Sequence, residues 1–175
     1  RASVQDARDR KTRRLFRDRV GFLEDLHADI GQACRIAAKD DQEPIIRLNV
    51  GSDQPWEEID ATIFSHPATF YDYTKVRTRF DLPLPSNYSL TYSHNETTPA
   101  GFSEDLLARG INVAVVFDTL YLPRFKRIGK LPKTWRRYKI VDGDKHDLRL
   151  PRFDGSGVVV GLRAKGGHAA IRKGC

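Results

Sequence analysis

Residues 88–117, YSLTYSHNETTPAGFSEDLLARGINVAVVF, decide the fold. Tyr88, Leu90 and Tyr92 alternate with Ser89 and Thr91, the two-residue period of a strand. Ser93-His94-Asn95-Glu96 then closes the strand with polar residues. A short helix is predicted over 103–108, and Gly110 ends it before the β-branched run at 112–117. Strand, polar loop, helix, strand is the unit that builds a parallel sheet, because the crossover helix carries the chain back to start the next strand in the same direction.

The same order is found upstream. Ile45-Ile46-Arg47-Leu48-Asn49-Val50 reads as a strand and Gly51-Ser52-Asp53-Gln54-Pro55 as the loop after it. Pro55 suits the first turn of a helix whose inward face is Trp56, Ile59 and Ile63, and Ser52 or Asp53 is placed to cap it. His66-Pro67 stops that helix before a second strand at 69–73. A charged helical turn follows Thr74-Lys75, then a loop at 82–87 with two prolines. Two more strands are predicted at 138–141 and 157–162, whereas 120–137 is basic, proline-punctuated and irregular. At the N-terminus Leu15, Phe16, Val20, Leu23, Leu26, Ile30, Cys34 and Ala37 recur at helical spacing, with Gly21 or Gly31 as the point of a kink and Pro44 as the stop. The expected architecture is one α/β domain over 1–175, a mostly parallel sheet of repeated βα units resembling part of a TIM barrel, preceded by a helical segment at 1–38.

Composition narrows the classes. The 175 residues are 39% hydrophobic, enough for one core, and no apolar run is long enough to span a membrane. No leader is recognisable, so the expected location is the cytoplasm of a host cell. The chain begins at Arg1 and contains no methionine, so an N-terminal extension is expected to precede it. Cys34, on an apolar helical face, reads as a core thiol. Thirty Lys and Arg against 23 Asp and Glu leave a charge of +7, concentrated at 1–19, 124–139 and the C-terminus, which favours polyanionic partners.

In parallel α/β proteins chemistry collects in the loops after the strands, so those loops supply the candidates. They are Asn49, Ser52 and Asp53; Asp72, Tyr73, Thr74 and Lys75; Ser93, Asn95 and Glu96; Asp118; Asp142 and Asp144; and Lys165. A catalytic lining of Asp53, Asp72, Lys75, Asn95 and Glu96 would place Lys75 against an anionic group and use Glu96 as general base. Asp142, Asp144 and His146 have the oxygen-rich character of a Mg²⁺ or Mn²⁺ site, although Asp-Gly is also a favoured turn. His94 with Glu96 and His146 with Asp147 are further acid–base pairs. Arg124, Lys126, Arg127, Lys130, Trp135, Arg136 and Arg137 interleave with Tyr121, Phe125 and Tyr138, a mixture that grips phosphates and stacks bases, or that anchors a long loop. Dinucleotide, P-loop, paired-cysteine and hydrolase-elbow motifs are all missing from the sequence.

At Arg47-Leu48-Asn49-Val50-Gly51-Ser52-Asp53 with Trp56-Glu57, at Phe70-Tyr71-Asp72-Tyr73-Thr74-Lys75, and at 87–93, the chain resembles phage and plasmid proteins of the mycobacteriophage gene-product-88 type, and more distantly radical-SAM-like barrels. The likeness continues through 112–117, Asp142-Gly143-Asp144, Asp147-Leu148-Arg149 and 160–166. It implies a phage or mobile-element origin and an iron–sulfur or other metal site built by cysteines upstream of residues 7–12. Cys34 and Cys175 cannot supply that cluster, so either it lies outside these residues or it is not needed. Two functions follow as expectations. One is an enzyme-like protein acting on nucleic acid or a nucleotide-derived substrate at a strand-end cleft, dependent on an iron–sulfur cluster or a divalent metal. The other is a non-catalytic protein that binds nucleic acid or a host protein through residues 121–139.

Overall fold

The computed structural model describes residues 3–117 and 130–164. Arg124, Lys126, Arg127, Asp118 and Lys165 lie outside the described residues.

The strands form where β-branched and aromatic residues alternate. They are β1 Ile45–Arg47, β2 Thr69–Thr74, β3 Tyr88–Ser93, β4 Val113–Phe117, β5 Thr134–Trp135, β6 Tyr138–Asp142 and β7 Val159–Arg163. Their order is β1-β2-β3-β4-β7-β6-β5. β3, β4, β7 and β6 run parallel, and β5 is antiparallel to β6. The expected mixed α/β class and mostly parallel sheet are present. The barrel-like part of the expectation is corrected: the order has two ends and the sheet is open, because β7 inserts between β4 and β6 instead of following them round a ring.

The chain divides into two compact units, residues 1–70 with 83–88, and residues 71–82 with 89–175. In the first unit the single expected N-terminal helix is two helices, α1 Val4–Arg17 and α2 Arg19–Lys39. The break falls at Asp18, not at a glycine. Asp18 leaves helical geometry and its carboxylate accepts the Gly21 amide at 3.1 Å, capping α2. Gly21 matters because a Cβ there would meet that carboxylate at 2.5 Å. The helix expected from Pro55 is also split, into α3 Trp56–Ile59 and a 3-10 helix Ala61–Ser65, with Asp60 capping the second through the Thr62 amide. Phe64 stacks on Tyr88 at 4.6 Å and meets Phe70 edge-on at 5.2 Å, and Ile63 and Phe70 are fully enclosed. Each such side chain contributes roughly 1.5–3 kcal/mol by leaving water.

In the second unit α4 Phe102–Ala108 is the crossover between β3 and β4, with Leu106 and Leu107 buried. Val113, Val159 and Val160 form the buried middle of the sheet. Asn112 ties the start of β4 to the loop before β7, donating to the Gly155 carbonyl at 2.8 Å and accepting the Val158 amide at 3.1 Å. A helix that was not expected, α5 Pro151–Asp154, starts with proline in its first turn.

Candidate nucleic-acid interface at the sheet edge

The carboxyl ends of the parallel strands in the second unit can be placed by register. Ser93, Ala114, Val160 and Val141 lie in one row, and Asp142 pairs with Gly161 and Gly161 with Val115 in the next. His94 extends that second row from β3, its amide donating to the Ala114 carbonyl at 2.9 Å. His94 and Asp142 thus open the same edge three strand spacings apart, or about 14 Å.

At the Asp142 end, Asp142-Gly143-Asp144 is a turn whose charges are already answered. Arg163, the last residue of β7, donates to Asp142 Oδ1 at 2.8 Å, to Asp142 Oδ2 at 3.0 Å and to Asp144 Oδ2 at 3.0 Å. The Arg163 backbone amide also donates to Asp144 Oδ2, at 3.1 Å. These bonds hold the Asp142 carboxyl below the ordinary range and push the Arg163 guanidinium still higher. Gly143 makes the clamp possible, since a Cβ there would stand 2.5 Å from Val160 Cγ1. Asp-Gly makes the turn that one sequence reading expected, and where the other expected a divalent metal these carboxylates meet the Arg163 guanidinium. His146 belongs to another cluster. Its Nδ1 is 3.1 Å from Arg149 Nη2, and Arg149, itself 1% exposed, pairs with Asp154 at 3.2 Å. Burial raises the Asp154 carboxyl, with Arg149 and His146 opposing that rise. Among the described residues no group of three or more His, Cys, Asp or Glu side chains could hold a metal ion.

At the His94 end several functional groups converge. Nδ1 of His94 is 2.9 Å from the hydroxyl of Ser103 in the first turn of α4, which fixes the ring and leaves Nε2 as the other nitrogen. The ring meets Trp135 of β5 edge to face at 5.1 Å. Trp135 reaches it because the β5–β6 hairpin folds against α4: Tyr138 donates its hydroxyl to the Glu104 carbonyl at 3.2 Å, and Arg136 pairs with the Glu104 carboxylate at 2.5 Å. Burial lowers the His94 imidazole, the charge of Arg136 lowers it further and Glu104 partly opposes. Burial pushes the Glu104 carboxyl up, but the Arg136 bond, its own backbone amide and the charges of Arg136 and His94 together bring it below the usual range.

The hairpin has an unusual tip. Trp135 pairs with Tyr138, so Arg136 and Arg137 alone make the turn, with φ of 45° and 70°. A two-residue turn of this type requires left-handed backbone at both positions, where Asn-Gly is the favoured pair. Two arginines there are held in strain, and each guanidinium lies over its neighbour's ring, Arg136 at 4.5 Å from Trp135 and Arg137 at 5.5 Å from Tyr138. Lys130, Lys133, Arg136, Arg137 and Lys139 are all exposed, and residues 130–139 contain no acidic residue. The aromatics anchor the hairpin, as one sequence reading held, and the cations remain outside.

The five residues expected to line a catalytic cleft are dispersed in role. Asp53 belongs to the first unit, where its neighbour Ser52 donates to Asn49 Oδ1 at 2.8 Å instead of capping a helix. Asn49 is 2% exposed and also accepts from the Gln54 amide at 2.9 Å and Trp56 Nε1 at 3.1 Å, so it ties its own loop. Asp72 is fully enclosed and engaged within the protein. Lys75 and Glu96 are on the surface. Asn95 accepts the Thr97 amide at 3.0 Å and the Thr98 hydroxyl at 3.1 Å, closing the turn after β3. Ser103 and Glu104 were missed by sequence reasoning, which took 103–108 as a covering helix; their proximity to His94 and Arg136 has no local signal.

No helix among the described residues is long and apolar enough to cross a membrane. Comparison with curated proteins and with solved structures found no match. The family comparison agrees with the motifs at 47–57, 70–75, 87–93 and 142–149: the model for gene product 88 matches residues 1–175, and the chain belongs to the gene product 88 family.

Proposed function

We propose that the protein grips nucleic acid through the β5–β6 hairpin, using its exposed cations on the phosphates. The carrying observation is the Arg136-Arg137 turn, where two bulky cations occupy strained left-handed backbone at the tip of a hairpin pinned to His94 and α4. Strain of this kind persists where the surroundings enforce it, and here Trp135, Tyr138 and Glu104 do so. Arg137, Lys133 and Lys139 stand ready for phosphate oxygens, and the charge of +7 supports the long-range attraction. The test is binding of a labelled single-stranded oligonucleotide, followed by anisotropy. Arg137→Glu with Lys139→Glu should weaken it by about 30-fold or more. Equal affinity would reject the hairpin, and capture of a host protein by the same surface without any nucleic-acid binding would replace the ligand class.

His94 favours a second reading, an enzyme-like action on nucleic acid or a nucleotide-derived substrate held by the same arginines. Ser103 orients Nδ1, so Nε2 would exchange the proton, and Lys75, Asn95 and Glu96 would add polar contacts after β2 and β3. A radical mechanism, implied by the more distant likeness, would draw its iron–sulfur cluster from cysteines outside these residues. Turnover of an oligonucleotide or nucleotide abolished by His94→Gln, with binding retained, supports this reading; iron analysis of the full-length gene product tests the cluster.

A further inference from the structure

Three side chains of the first unit form a chain of hydrogen bonds that the hairpin does not use. His27, in α2, presents Nδ1 to His66 Nε2 at 2.8 Å and Nε2 to Asp60 Oδ2 at 3.0 Å. Asp60 is in turn fixed by Thr62, whose hydroxyl and amide donate to Oδ1 at 2.5 and 3.0 Å. The centres of the two imidazoles are 5.1 Å apart, which is their N···N distance plus about two ring radii, so the nitrogens face each other nearly in line. A metal ion needs the lone pairs of its ligands aimed at a common third point, which this arrangement does not offer. The particle held between His27 and His66 is a proton.

The proton count follows from Asp60. Its hydrogen bonds from Thr62 keep it ionised well into acid, against the effect of burial, so His27 carries hydrogen on Nε2. His27 Nδ1 then accepts from His66 Nε2–H. One added proton enters at His66 Nδ1, the ring nitrogen still bare; the hydrogen between the rings can then sit on His66 Nε2 or pass to His27 Nδ1, and the contact survives either way. A second added proton puts hydrogen on both facing nitrogens of two cationic rings, and the contact cannot survive. Two cations lie close by, and Glu24 precedes His27 by one turn of α2. Arg19 donates to the Ile59 carbonyl, adjacent to Asp60, at 3.4 Å. A Cβ on Gly31 would stand 3.4 Å from Arg35 Nη1 and 3.8 Å from His66 Cε1, so both side chains flank the same bare stretch of α2. The Cys34 thiol of α2 lies 3.9 Å from the carbonyl of Pro67, the residue after His66.

We infer that Asp60, His27 and His66 form a one-proton latch that ties residues 60–66 to α2 and releases them when a second added proton arrives. Burial and the charge of His27 both hold the His66 imidazole below its ordinary range, the direction such a latch requires. The latched segment carries the buried Ile63 and Phe64, and the Phe64 carbonyl accepts Asn87 Nδ2 at 3.0 Å. Release would loosen the aromatic cluster of the first unit.

The test uses the full chain, with imidazole nitrogen NMR and amide hydrogen exchange across mildly acidic pH. The expected result is a coupled His27–His66 titration in two steps, the second below the ordinary imidazole range. Amides 62–66, corrected for intrinsic exchange, should lose protection by up to about tenfold per pH unit as pH falls from the ordinary imidazole value near 6.5 toward that step, and level off below it. In His66→Gln the glutamine amide can donate to His27 Nδ1, so the acid step in exchange should disappear while protection at neutral pH remains. Should that variant not fold, His27→Gln or the wild-type titration alone decides. Independent titration of the two histidines, or exchange at 62–66 that does not respond to acid, would overturn the latch.

Discussion

Replacing Arg163 with methionine removes the guanidinium that holds Asp142 and Asp144 together and keeps most of the side-chain volume. Three charge-assisted hydrogen bonds are lost, and two carboxylates of the same turn are left facing each other. Breaking a fully buried pair costs about 3–5 kcal/mol, but here the side chains are 20% exposed at Arg163, 28% at Asp142 and 17% at Asp144, so water takes over part of their solvation. A loss of about 2 kcal/mol follows, or roughly 4–8 °C in Tm for a chain of this size. The sign of the pH dependence is fixed as well. Arg163 depresses the folded-state Asp142, so its contribution is present above the ordinary carboxylate value near 3.8 and fades as pH falls through the lower folded value. The deficit of the variant should therefore be full at neutral pH and shrink in strong acid. Urea denaturation at neutral pH and near pH 3 measures both. With the arginine gone, millimolar Mn²⁺ should restore part of the loss, because the two carboxylates are then free to accept a cation. A deficit under about 0.5 kcal/mol at neutral pH would refute the clamp.

Other outcomes follow from the same geometry. Arg149→Met strands the buried Asp154 carboxylate and should cost about 3–5 kcal/mol at neutral pH by urea unfolding, less in acid, where Asp154, already raised by burial, takes up a proton. Asn49→Ala removes the acceptor of Ser52, Gln54 and Trp56 Nε1 and should cost about 2–4 kcal/mol, with a red shift in Trp56 emission as the loop opens. His94 and His66 both bind protons less readily in the folded chain. Their contribution is complete above the ordinary imidazole value near 6.5 and is lost as pH falls from there through the folded values, so unfolding midpoints should drop between pH 7.5 and 5.5; His94→Gln should reduce that drop.

The parts of the fold visible in the sequence were those set by local pattern. The alternation at Tyr88–Ser93, the Gly110 stop and the valines of Val113–Phe117 each sit where the spacing placed them. Strand order was not visible, because the pairing of Val113 with Val159 is decided by packing between segments far apart in sequence. β5 escaped notice because its turn, Arg136-Arg137, has none of the residues that announce a hairpin. In the candidate site, the turn reading of Asp142-Gly143-Asp144 came from residue chemistry alone, but the identity of the cation could not, since Arg163 is brought to it only by β7 lying beside β6. Glu104 became relevant only through Arg136 and Tyr138 folding back over α4, and Ser103 only through its bond to His94.

Whether the β5–β6 hairpin contacts phosphates is read straight from the salt dependence of oligonucleotide binding. Each phosphate contact contributes about 0.7–0.9 to the slope of log K against log salt. Arg137→Ala with Lys139→Ala should lower the magnitude of that slope by about 1.4–1.8, as two contacts are removed. An unchanged slope, or binding that salt does not weaken, would contradict it.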